Sequence, residues 1–158
     1  MASETATPTN TGTGTEIASW QAGLAGGIGG GLIFGVMMTM QMGMIMEMAI
    51  PGMYGLGPSL AVGWVIHMFH SVVLGVVFAL ILEPTGLDKK LDSAPAIAGV
   101  GLVYGVVLWI VLASFVMPAW VGAMTEMAPP VPDWNMQSLM GHAVYGVVAG
   151  VIYAALAR

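Results

Sequence analysis

Hydrophobic positions in this chain run in four long stretches, from about Ala22 to Met46, Ser59 to Leu82, Ala96 to Met117 and Gln137 to Leu156. Each approaches or exceeds the ~20 residues that a helix needs to cross ~30 Å of hydrocarbon. The many short alternating segments of a barrel are not there. The pattern predicts an all-α, integral membrane four-helix bundle over residues 19–158. Turn-forming residues separate the stretches: Pro51, Gly52, Gly55, Gly57 and Pro58 first, then Glu83-Pro84-Thr85-Gly86. Pro118 and the run Pro129-Pro130-Val131-Pro132 mark the third break. Residues 1–18 are rich in Thr, Ser and Gly with no apolar period, which predicts a disordered N-terminal tail. That segment lacks the basic start and apolar run of a signal peptide.

Composition agrees. Only 7% of the 158 residues are charged and 58% are hydrophobic, against the ~25% charged residues of an ordinary water-soluble domain. The lipid bilayer is the partner this surface calls for. A net charge of −5 offers no basic face for nucleic acid. With no cysteine, disulfides, thiolate metal sites and a thiol nucleophile are excluded.

Lys89 and Lys90 fall between the second and third stretches, and Arg158 follows the fourth. In a four-span chain these places share one side. The excess of basic residues there predicts a multi-pass protein of the cell membrane with both termini cytoplasmic. Glu47, Glu126 and Asp133 then lie outside, with Tyr54, Trp120 and Trp134 as interfacial anchors.

The stretches repeat in pairs. Gly31-Leu32-Ile33-Phe34-Gly35-Val36 matches Gly101-Leu102-Val103-Tyr104-Gly105-Val106, and six of fifteen positions from His67 to Ile81 are identical in His142 to Leu156. Two tandem helical-hairpin repeats are predicted, which pairs His67 with His142 at similar depth.

Small residues recur every fourth position: Gly23, Gly27, Gly31, Gly35, Thr39 and Gly43 in the first stretch; Gly63, Ser71, Gly75 and Ala79 in the second. The third has Gly101, Gly105 and Ala113, and the fourth Ser138, Gly146, Gly150 and Ala154. Such stripes let helix backbones approach closely in lipid. His67 and His142 fall on them, away from lipid, where an ionisable side chain is costly. Interhelical hydrogen bonds would account for both. The sharper expectation is a b-type haem held by His67 and His142, with Gly63, Gly75, Gly146 and Gly150 making room for the porphyrin. His70, aligned with Tyr145 in the repeat, is a polar contact, an alternative ligand or a proton relay. A second expectation is copper. Met40, Met44 and Met48 share one face of a continuous helix, and thioethers are soft ligands suited to Cu(I), although Met also fills apolar space. Glu47 and Glu126 read as interfacial carboxylates. No nucleophile–base set is present, so a non-catalytic role is expected.

Three segments carry a resemblance: Gly30-Gly31-Leu32-Ile33-Phe34-Gly35-Val36-Met37-Met38, Gly63-Trp64-Val65-Ile66-His67, and Gly141-His142-Ala143-Val144-Tyr145-Gly146. Over about residues 22–156 the chain resembles small four-helix membrane proteins frequent in haloarchaea. The resemblance implies an accessory subunit of a respiratory complex, beside a terminal oxidase.

Overall fold

The computed structural model describes residues 17–91 and 93–157, without the side chains of residues 88 and 89. The expected N-terminal tail, apart from Ile17 and Ala18, and Arg158 fall outside them. Four helices are long and apolar enough to cross a membrane: α1 (Ser19–Gln41), α2 (Leu60–Thr85), α3 (Ala94–Met124) and α4 (Met136–Leu156). No strand occurs among the described residues.

Local chemistry sets the helix ends. Ser59 Oγ accepts from Val62 N–H at 3.3 Å, Ser93 Oγ from Ala96 N–H at 3.4 Å, and Asn135 Oδ1 from Ser138 N–H at 3.0 Å. Each satisfies one of the donors that a helix start leaves open. At the other end of α2, Gly86 takes the left-handed conformation with φ 65°, which only glycine adopts freely.

Two breaks lie elsewhere than the sequence predicts. Pro118 does not end the third helix. A π-helical stretch, Trp109–Val116, precedes it, and the helix resumes over Met117–Met124. Proline cannot donate to the carbonyl four residues back. Here that carbonyl, on Ser114, instead accepts from Asp133 N–H at 2.8 Å. The first helix, conversely, stops at Gln41 and not near Met46. Met42 leaves the helical region (φ −138°, ψ 45°), and a π-helical turn, Ile45–Ala49, leads into Ile50–Gly52. The predicted stripe loses its last member, since Gly43 faces open space.

Glycine decides the packing. Gly23, Gly27 and Gly31 of α1 lie against Gly75 and Ser71 of α2, so close that an added Cβ would overlap backbone or side-chain atoms there. Gly101 and Gly105 of α3 meet Gly146 and the His142 carbonyl of α4 in the same way. A second stripe on α1, not singled out from the sequence, joins these pairs. Gly26 abuts Ala149 and Gly30 abuts Tyr145 of α4, while Gly141 accommodates the ring of Phe34. The bundle therefore runs in the order α2–α1–α4–α3.

Helices α2 and α3, neighbours in sequence, are the two ends of this arc. Side chains bridge them. Tyr104 of α3 donates its hydroxyl to the Leu74 carbonyl at 2.8 Å, and Tyr145 of α4 donates to the Ser71 carbonyl at 2.7 Å. Toward the short 86–93 connection, Phe78, Leu82, Ile97 and Tyr153 fill the space between the helices. Toward the other end, which carries residues 42–59 and 125–135, the space stays open.

Candidate functional site

That opening is a cleft of about 350 Å³ between α2 and α3. All three histidines of the chain, His67, His70 and His142, line it. Its wall is otherwise apolar apart from Ser71 and the tied hydroxyl of Tyr145, and no carboxylate faces it. Phe34, Met38 and Tyr145 form the floor from α1 and α4. The lips carry Phe69 and Val73 from α2, opposite Val116 and Trp120 from α3, all of them exposed.

His67 is buried on the face of α2 that meets α1, and its Nε2 lies 2.9 Å from the Gly31 carbonyl. Glycine at 31 and serine at 71 bring the two backbones near enough for that contact. His142 points back along its own helix, with Nδ1 2.8 Å from the Ser138 carbonyl and 3.4 Å from Ser138 Oγ. The Phe34 ring touches both imidazoles, its centroid 5.5 Å from that of His67 and 4.7 Å from that of His142. His70 stands nearer the mouth, its Nε2 2.6 Å from the Tyr54 hydroxyl. The histidines paired by the repeat are thus brought around one phenyl ring, and the third makes the polar contact considered for it.

The structure does not fit the haem expectation. A bis-imidazole haem needs two ring nitrogens aimed at one iron with a flat macrocycle between them. Here Phe34 contacts both rings, and the Nε2 of His67 is engaged by a carbonyl. The four glycines expected to admit a porphyrin are already covered. Gly63 lies on the Met46 carbonyl, Gly75 on the backbone of Gly23 and Gly27, Gly146 on Gly101, and Gly150 on the Ile97 carbonyl. Their small size serves backbone approach.

The methionine face of the copper reading is not assembled either. Met40 lies in the last turn of α1, while Met44 and Met48 lie beyond its end. Met40 is 80% and Met44 66% exposed. The alternate methionines turn inward instead, with Met38 and Met46 buried. Met38, Met42, Met117 and Met127 line a smaller cavity of about 80 Å³ together with Asp133, Asn135, Ser138 and His142. Among the described residues no three His, Asp or Glu side chains are grouped to hold a metal ion. Glu47 and Glu126 are exposed on the loops at that end.

Sequence reasoning located His67, His70 and His142 but not the cleft. Phe34, Tyr104 and Tyr145 carried no separate signal, because aromatic residues in an apolar span read as packing. Comparisons with protein-family models, with curated proteins and with solved structures return no match.

Proposed function

We propose that this chain is a non-catalytic, multi-pass membrane protein that binds a small apolar molecule, admitted from the bilayer through the cleft between α2 and α3. One observation carries the reading: an apolar cleft of about 350 Å³ has every histidine of the protein on its wall. Ligand sites are typically concave, apolar spaces of ~300–1,000 Å³ with a few convergent polar groups. The lips support entry from lipid, since Phe69, Val73, Val116 and Trp120 are apolar and exposed. An accessory place beside a larger membrane complex, the role implied by the resemblance to haloarchaeal four-helix proteins, belongs to the same reading.

Two hairpin repeats underlie the arrangement in this proposal. Close contacts recur at the offsets of the sequence repeat: Gly31 with Ser71 and Gly101 with Gly146, then Gly27 with Gly75 and Ile97 with Gly150. Gly35 with His67 and Gly105 with His142 complete the set. The basic residues Lys89, Lys90 and Arg158 favour a cytoplasmic side for both termini, and with that orientation the cleft opens toward the outer half of the bilayer.

Binding is tested with naphthalene as an apolar probe, followed by its fluorescence in detergent micelles containing the purified chain. Saturable binding above that of empty micelles is expected. It should be lost in Val73→Trp with Val116→Trp, where two bulky rings close the lips. Binding that is unsaturable, or unchanged by closing the lips, would remove the cleft from consideration. Orientation is tested separately by single cysteines read with an impermeant thiol reagent on intact cells. Asp133→Cys should label and Ser93→Cys should not; the reverse pattern inverts the topology.

A further inference from the structure

We infer that the cleft selects molecules that bring a hydrogen-bond donor, such as a phenolic or alcoholic hydroxyl, over molecules whose polar groups only accept. The inference rests on the cleft being a ligand site and adds the chemistry of the ligand.

Two carbonyls dictate the assignment. A carbonyl oxygen only accepts, so a ring nitrogen in hydrogen-bonding contact with it must carry the hydrogen. His67 therefore donates from Nε2 to Gly31, and His142 donates from Nδ1 to Ser138. The longer 3.4 Å approach of Ser138 Oγ to the same Nδ1 leaves that hydrogen in place. Among the described residues no carboxylate lies on the cleft wall, and Asp133, which lines the smaller cavity with His142, is not hydrogen-bonded to it; an imidazolium in this apolar setting would be costly. Each ring thus holds one hydrogen, and its remaining nitrogen is a bare lone pair.

The bare positions are Nδ1 of His67 and Nε2 of His142. Among the described residues neither has a protein partner, and both side chains line the cleft. The hydroxyls of Tyr104 and Tyr145 are committed to backbone carbonyls of α2. The two repeat-related histidines consequently present acceptors. At these two nitrogens a ligand that supplies O–H or N–H completes the pair, whereas an ether or ketone oxygen would set a lone pair against a lone pair.

Three probes of one shape test this on the full chain in micelles: naphthol, its methyl ether, and acetylnaphthalene. Naphthol should bind about tenfold more tightly than either acceptor-only probe, the worth of one hydrogen bond in an apolar site. His142→Phe, which puts a ring of similar shape without the acceptor nitrogen in its place, should bring naphthol close to the affinity of its methyl ether. Nitrogen NMR of the unmodified protein reads the tautomers without any substitution. Hydrogen on Nε2 of His67 and on Nδ1 of His142 is expected. Equal binding of all three probes, or the opposite tautomer at both histidines, would overturn the inference and leave the cleft as a ligand site. If no probe binds above empty micelles, the cleft reading fails and takes the inference with it.

Discussion

Leucine in place of Gly101 or Gly75 should unfold the bundle at far lower temperature than any substitution on its exposed side. At both positions the obstacle is backbone. A Cβ on Gly101 would strike the Gly146 carbonyl, and one on Gly75 would strike Gly23 and Gly27. Overpacking a core costs ~1–3 kcal/mol when side chains can yield. Here the helices themselves must separate, and close contact is what joins helices where lipid is as apolar as leucine. A loss above ~3 kcal/mol is therefore expected. Val36→Leu is the control, because Val36 is 51% exposed and off the stripe; it should stay within ~0.5 kcal/mol. Thermal unfolding in detergent separates the two classes. If Gly101→Leu melts with Val36→Leu, the stripes are not the helix interfaces.

Phe34→Ala is the second large effect. The ring is buried, fills the notch left by Gly141 and touches both paired histidines. Removing a buried phenyl from a water-soluble core costs ~3–5 kcal/mol. In the membrane setting proposed for the chain, lipid would replace water as the alternative surroundings of this ring, so the transfer part shrinks and the cavity part remains, giving roughly 2–4 kcal/mol. Coupling makes the prediction specific. Gly141→Ala alone should destabilise, since its methyl would overlap the Phe34 ring. In a Phe34→Ala background the same methyl enters vacated space and should be neutral or stabilising. That reversal of sign is readable in a double-mutant cycle. Simple additivity would mean that the two residues do not share the notch.

The structure departs from the sequence reading at three places. Met40, Met44 and Met48 were expected on one helix face, and the face needs an unbroken helix. The helix ends at Gln41, where Met42 leaves the helical region with φ −138° and ψ 45°. Pro118 was expected to end a helix and does not, because Asp133, fifteen positions on, takes the carbonyl that proline leaves unsatisfied. No local pattern contains that partner. The haem expectation treated Gly63, Gly75, Gly146 and Gly150 as space. They are space, but neighbouring backbone occupies it.

Four long apolar helices and the close-packing stripes were legible from the chain alone. These follow from periodicity and hydrophobicity, which each segment carries within itself. Tertiary structure decided which helices touch, and glycine on two faces of α1 made that helix a neighbour of both α2 and α4. It placed Phe34 against the imidazoles and opened the gap between α2 and α3. It also brought each of these imidazoles to a carbonyl, from another helix for His67 and from the preceding turn for His142. Spacing along a sequence records which residues can share a face; the partner that fills or leaves empty the space beside that face belongs to distant segments.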